Sequence, residues 1–398
     1  MKIVAINSSL SGSTGKIMLG LSNEALAAGH TVFMFTPAQR GKKVSLKNHF
    51  FFGNVILRAI SKFFSFVFGI DGVGIKRITR SLIKKIEKIN PDIIHLHNIH
   101  AWFIDVPTLF GFLQKTKAKV VWTFHDCWPF TGHCTYFSLI GCDKWKKMCF
   151  KCPQLYKYPR TLVDNSKKQF VTKKNLFTTI DNLTIVTPSF WMKELVGKSF
   201  LCGTKTFVVN NGVDLSIFKP SDNVLENNLK PNVILGVAFG WEQRKGIDVF
   251  IRIANDPEMS DYQVVLVGTT EAVERSLPNN IKTIRRTNNQ KELADLYSKS
   301  LLLLNPTRED NYPTVNLESI SCGTPVVTFD TGGSKESVFE NCGVVVKKDD
   351  YEGVKAAIRK IYFNVEKYRK ECATKRLLFE DKISYSKYLT LFGDLMRE

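Results

Sequence analysis

Residues 302–336 read LLLNPTREDNYPTVNLESISCGTPVVTFDTGGSKE. The apolar run Leu301 to Leu304 predicts a buried strand, and Asn305 to Asn311 a polar turn. Pro313 can open a helix, because the N–H it lacks has no intrahelical partner in the first turn. The helix then runs from Pro313 to Cys322 and is stopped by Gly323 and Thr324-Pro325. Val326 to Phe329 is a second apolar run, and Thr331-Gly332-Gly333 a second turn. Strand, turn, helix, strand, turn make one parallel-sheet unit. Such a sheet presents its ligand loops at the carboxyl ends of its strands.

Two carboxylates mark this unit. Asp310 lies in the loop before the helix and Glu318 in its second turn, eight positions apart. A carboxylate accepts paired hydrogen bonds, which suits the vicinal diol of a ribose or a pyranose. The helix start between them offers N–H groups and a positive dipole end, which suits a phosphate. A nucleotide sugar combines all three parts. Taken alone, a solvated helix glutamate and a turn-forming aspartate account for the pair equally well.

Composition bounds the rest. A chain of 398 residues with 44% hydrophobic content supports a large core and two domains. A formal charge of +19 and a pI near 9.4 call for an anionic partner: a phosphate ligand, an acidic membrane surface or nucleic acid. Met1-Lys2 runs directly into the strand Ile3-Val4-Ala5-Ile6, with no export segment, so the nine cysteines are expected to be thiols or metal ligands in a reducing compartment. No uncharged apolar run has the length of a membrane span.

The chain opens as a βαβ unit. A small-residue loop, Ser8 to Lys16, joins the first strand to a helix ending near Ala28, and Thr31 to Phe35 is the next strand. Gly12 and Gly15 let a ligand approach the backbone, but they form neither G-x-G-x-x-G nor a Walker A loop, so a nicotinamide cofactor gains little support. Between 49 and 88, Phe50-Phe51-Phe52, Phe63-Phe64, Phe66 and Phe68 interleave with Arg58 and Lys62. Lys76, Arg77, Arg80, Lys84, Lys85 and Lys88 follow. The pattern fits an interfacial helix pair on anionic lipid, with a core helix carrying a solvated basic face as the alternative.

Two strands end in histidine: Pro91 to His97, and Lys119 to His125-Asp126. Each imidazole could bond a sugar hydroxyl or a phosphate. The insert that follows carries Cys134-x7-Cys142-x6-Cys149-x2-Cys152, whose four sulfurs could close a structural zinc site, with Cys127 and His133 as substitutes. Aromatic residues and lysines surround it. Residues 219–231 read as part of the crossing to a second α/β series. After that series' first strand, the loop Gly240 to Gly246 places Arg244 and Lys245 before a helix, where cations can meet a diphosphate.

Together, Asn211-Gly212-Val213-Asp214…Phe218-Lys219-Pro220, Arg244-Lys245-Gly246, Asp310-x7-Glu318, Cys322-Gly323-Thr324-Pro325-Val326-Val327 and Gly332-Gly333…Glu336 resemble family 4 of the retaining glycosyltransferases. The segment Thr123 to Gly132, with its cysteine insert, is similar to a branch acting in bacterial polysaccharide assembly. The resemblance implies a GT-B fold, two Rossmann-like parallel-sheet domains facing across a cleft. The first would be an acceptor domain over 1–205, with a C-terminal helix about 384–398 packing back, and the second a donor domain over 206–383.

It implies a UDP- or GDP-sugar donor, no metal on the diphosphate (the chain has no Asp-x-Asp triplet), and a saccharide acceptor carried on polyprenyl diphosphate. The place of work would be the cytoplasmic face of an anionic membrane. Glu318 would bind the donor ribose. Asp310 would contact the donor sugar in place of the family's glutamate, with Glu309 beside it to compensate. Lys245 would meet the diphosphate. Phe239 stands near the place of a frequent family arginine, which leaves a second charge to Arg244. Gly15, Asn311, Tyr312, Pro313 and Thr314 would complete the donor surface. His125 would stand at the reaction centre, and His97, Asp126 and Trp128 on the acceptor side. The rivals are a basic zinc-containing nucleic-acid-binding protein, which leaves the carboxylate pair unexplained, and an epimerase of the same fold. The first reading has no nucleic-acid partner.

Overall fold

The computed structural model describes residues 1–38, 48–221 and 232–398, so most of the expected crossing at 219–231 lies outside the described residues. The chain divides into two compact units, Met1–Asn210 with Ser384–Glu398, and Asn211–Ile383.

The first unit is built on seven strands: β1 Lys2–Ile6, β2 Thr31–Pro37, β3 His49–Phe52, β4 Ile93–Leu96, β5 Lys119–Thr123, β6 Leu183–Thr187 and β7 Lys205–Val208. Every pairing is parallel, in the order β3-β2-β1-β4-β5-β6-β7. The central strands are buried along their whole length because helices cover both faces, as a parallel sheet requires. The C-terminal helix joins this core from Ser384 onward, burying Tyr388, Leu391, Phe392 and Leu395 with Ile3, Ala5, Met18 and Val121. Each such fully buried apolar side chain contributes roughly 1.5–3 kcal/mol.

Phe50-Phe51-Phe52 depart from expectation. They form the edge strand β3 rather than part of a helix pair, because His49 to Phe52 align with Met34 to Pro37 of β2. The two helices that follow are Val55–Phe68 and Lys76–Ile89. The first is turned inside out. Its buried residues are Ser61 and Ser65, while Ile56 is 68% and Phe63 61% exposed, with Leu57, Ile60 and Phe68 beside them.

The second unit carries β8 Val233–Val237, β9 Gln263–Val267, β10 Lys282–Ile284, β11 Leu302–Asn305, β12 Val326–Phe329 and β13 Gly343–Val346. Its sheet is also wholly parallel, in the order β10-β9-β8-β11-β12-β13. Each sheet therefore has one place where the chain direction of winding reverses: between β1 and β4, and between β8 and β11. Loops at the carboxyl ends of such a strand pair form the ligand crevice of open α/β sheets. Among the described residues no helix is long and apolar enough to cross a membrane.

Candidate functional site

In the second unit the loops after β8 and β11 converge at this reversal. Lys245 lies at the end of a short 3-10 turn, Gln243–Lys245, and Asp310 five residues past the end of β11. Lys245 Nζ donates to Asp310 Oδ2 at 2.6 Å, with the side chains 18% and 14% exposed. Two glycines make this approach. Gly246 has φ +73°, and a Cβ there would lie 2.3 Å from the Pro306 carbonyl oxygen. Gly332 has φ +55°, and a Cβ there would lie 2.1 Å from the Asp310 carbonyl oxygen. Any other residue would push these loops apart. Gly333 N–H donates to the same Asp310 carbonyl at 3.1 Å, and Asn311 N–H to Asp310 Oδ1 at 3.0 Å.

The neighbouring cations are committed. Arg244 donates from Nε to Glu242 Oε1 and from Nη1 to the Glu309 carbonyl, both at 3.0 Å. Arg308 bonds Asp248 through two nitrogens and Asp349 through a third; the Asp248 bonds, ahead of burial, hold its guanidinium well above the ordinary range. Arg308 therefore ties the two loops to the helix Ile247–Asn255. Glu309, Asn311, Tyr312 and Pro313 are buried, and Thr314 is partly exposed.

The helix between the carboxylates is Thr314–Ser321, with Pro313 as its cap residue and no capping side chain. Its first-turn N–H groups therefore lack a side-chain acceptor from the cap residue. Asn316 fixes the helix to the sheet, accepting from Asn305 Nδ2 at 2.8 Å and donating to Ser337 Oγ at 2.8 Å. Glu318 is positioned separately: Tyr297 OH donates to Glu318 Oε2 at 3.0 Å. Burial, then the Glu318 charge, raises the Tyr297 phenol well above its usual range, so it stays a donor. Tyr297 went unnoticed in the sequence because it lies 21 residues away on another helix, Gln290–Lys299.

In the first unit the reversal point carries a file of histidines. His95 Nε2 lies 2.8 Å from Thr123 Oγ1, which lies 3.0 Å from Tyr388 OH. His97 Nδ1 lies 3.0 Å from His125 Nε2. Burial lowers all three imidazoles, His95 to about 3, His125 to about 4 and His97 well below 6.5, so they are neutral near pH 7. Asp126 Oδ2 pairs with His100 Nε2 at 2.9 Å, and His100 Nδ1 lies 3.0 Å from Tyr158 OH. Burial raises the Asp126 carboxyl, but His100 and the Trp128 N–H together outweigh it and hold it low. His100 could have been found from sequence: His95, His97 and His100 form one His-x-His-x-x-His run. The residues after it, Ala101 and Trp102, hold φ of 87° and 62°, a strained conformation of the kind that clusters at functional sites.

Several expected side chains sit elsewhere than on a ligand surface. His97 and Trp128 are each 1% exposed and so present almost no surface to an acceptor. Trp128 lies under the Lys173 ammonium, 3.5 Å from its ring centroid. Gly15 is buried in the helix Gly12–Ala27, where a Cβ would lie 2.3 Å from the Leu10 backbone; it packs the loop on the helix.

The expected zinc is not shown among the described residues. Cys134, Cys142, Cys149 and Cys152 are close enough to feel one another's charge, yet among the described residues no group of three or more His, Cys, Asp or Glu could hold a metal ion. The thiols are free, and burial keeps Cys134 and Cys149 protonated, Cys149 up at about 11. Lys173 Nζ donates to the Trp128 and Thr131 carbonyls at 2.8 and 3.0 Å, and burial lowers its amine to about 7. Spacing alone placed the four in one loop; Lys173 comes from a helix further on, Ser166–Phe177.

Two parallel Rossmann-like sheets, each with loops gathered at its reversal point, are the two halves of the GT-B fold. Residues 14–217, more than half of the chain, match the family described as Glycosyltransferase Family 4, and residues 231–364 match Glycosyl transferases group 1. The chain belongs to Glycosyltransferase Family 4. It is 24% identical over 275 residues to WcaC of Escherichia coli (strain K12), named as a colanic acid biosynthesis glycosyl transferase. That match covers 65% of this chain and 65% of the relative. Sucrose-phosphate synthase from Thermosynechococcus elongatus superposes with a TM-score of 0.73 at 16% identity, over 100% of this chain and 99% of that one. HepE of Anabaena in complex with UDP gives 0.68 at 15%, over 99% and 100%. At these identities the two structures show the fold.

Proposed function

We propose that the chain transfers a sugar, with retention, from a UDP- or GDP-sugar to a saccharide acceptor on polyprenyl diphosphate, in bacterial surface-polysaccharide assembly. The observation that carries this reading is the Lys245–Asp310 pair at the sheet reversal, beside the uncapped start of Thr314–Ser321. The class of acceptor pathway is supported by the name of the colanic acid relative, and the choice of nucleotide by a chain of the same fold that holds UDP.

In this mechanism Lys245 and the first-turn N–H groups of the helix take the charge that develops on the leaving diphosphate. Groups fixed in advance for such charge each contribute a few kcal/mol. Asp310 accepts from the donor sugar's hydroxyls, and Glu318, held by Tyr297, accepts from the ribose diol. The leaving phosphate takes the acceptor's proton, while His125 orients and polarises the transferred sugar.

The inverted helix Val55–Phe68 supports work at a membrane. Its outward isoleucines and phenylalanines, with exposed Lys62 and the exposed basic face of Lys76–Ile89, match an anionic lipid surface on the cytoplasmic side.

A thermal-shift screen with UDP, GDP and their sugars tests the proposal. Binding at about 100 times Kd stabilises the donor unit by about 2.7 kcal/mol. One base is expected to raise the transition by several degrees, and no shift from any nucleotide would sink the reading.

A further inference from the structure

The histidine file carries a proton assignment. His97 Nδ1 and His125 Nε2 are 3.0 Å apart, and the two rings are nearly parallel, 9° between planes with centroids 5.3 Å apart. Both imidazoles are neutral, so their contact contains one proton, on one nitrogen or the other.

The two arrangements differ at His97. If His125 Nε2 held the shared proton, His97 would carry its own on Nε2. That nitrogen is buried and has no hydrogen-bond partner among the described residues. A buried N–H without an acceptor is the rarer defect in folded proteins, because its desolvation is not repaid. If His97 Nδ1 holds the proton, His97 Nε2 is a bare lone pair, and His125 keeps its proton on Nδ1. The His97 ring packs against His95 at 4.1 Å between centroids, and its own carbonyl accepts from Trp122 Nε1 at 3.0 Å.

We propose that His97 is a positioning residue for glycosyl transfer: it donates from Nδ1 to His125 Nε2, caps the basic nitrogen of His125 and holds the remaining proton on His125 Nδ1. This rests on the reading that His125 stands at the reaction centre. A capped His125 cannot take the acceptor's proton through Nε2. It acts as a donor only, and the acceptor's proton goes to the leaving phosphate.

The test begins with the wild-type protein, labelled with nitrogen-15 histidine and read by long-range proton–nitrogen NMR. His125 is expected to show a protonated Nδ1 and an unprotonated Nε2; the reverse pattern overturns the assignment. Two variants add kinetics. His97→Phe keeps a ring without the donor, and its kcat should fall at least about tenfold while the donor KM stays within about threefold, the mark of lost alignment rather than lost binding. His97→Asn restores an N–H near the position of Nδ1 and should recover most of the loss. Wild-type turnover in His97→Phe refutes the positioning role. A failure of the underlying reading looks different: His125→Phe would keep its turnover, while the proton assignment in the wild type would stand.

Discussion

Asp310→Asn should tighten nucleoside-diphosphate binding while it slows transfer. In the wild-type protein the Lys245 ammonium is bonded to Asp310 at 2.6 Å, and both side chains are less than one-fifth exposed. A charge-assisted hydrogen bond in such a setting is worth about 1.5–3 kcal/mol. On the proposed reading, an incoming diphosphate shares Lys245 with Asp310 and approaches the Asp310 charge. The asparagine is nearly the same shape and removes both costs. If half of the bond's worth is recovered, UDP or GDP binds about four- to tenfold more tightly, since about 1.4 kcal/mol is a factor of ten. The sugar hydroxyls meanwhile lose a carboxylate acceptor, so kcat for the nucleotide sugar should fall at least about tenfold. Calorimetric titration gives the first number and release of nucleoside diphosphate the second. A variant that binds the diphosphate no better than wild type, at low and moderate salt, would show that Lys245 is not the cation the diphosphate meets.

Four further outcomes are expected. Tyr297→Phe should leave the fold intact and weaken UDP or GDP binding by about 1–1.5 kcal/mol, through the lost bond to Glu318, measured by the same titration. Gly332→Ala should lower the thermal transition and donor binding together, because its Cβ meets the Asp310 carbonyl; unchanged binding would refute the loop contact. His95, His97 and His125 are lowered by burial in the folded state, so the unfolded chain binds more protons and stability is lost as pH falls below the unfolded value of about 6.5. Between about pH 7 and about 5.5 the loss should be about 1.2 kcal/mol per histidine by this linkage, read as urea denaturation of the first unit, and His97→Phe should remove one share. Replacing Ile56 and Phe63 together by serine should abolish co-sedimentation with anionic vesicles and leave nucleotide binding unchanged; retained co-sedimentation would refute the membrane role of this helix.

Local chemistry made the second unit's centre readable. Val326 to Phe329 is a strand to the residue, and the turn residues bound the helix before it to within one position at each end. Pro313 became the cap rather than the first helical residue, its ψ of 117° lying outside the helical region. Lys245 and Asp310 were both named from sequence, yet their pairing depends on Gly246 and Gly332, which bring together loops 65 residues apart. What stayed hidden depends on distant packing. Phe50 to Phe52 carry no helical or strand period of their own, and β2 decides their state. His97 and Trp128 have the chemistry of ligand residues, but burial by the sheet's neighbours and by Lys173 removes them from the surface. Phe239, near the place of a frequent family arginine, is fully exposed, while Arg244 is held by Glu242 and the Glu309 carbonyl.

The most direct test of the donor site is the dissociation constant of UDP and GDP for three forms of the protein: wild type, Lys245→Ala and Glu318→Ala. Wild type is expected to bind one of the two nucleotides, and each variant to bind it at least about tenfold more weakly with unchanged circular dichroism, the loss of one charge-assisted contact apiece. Variants that bind as tightly as wild type would contradict the assignment of these two residues to the diphosphate and the ribose.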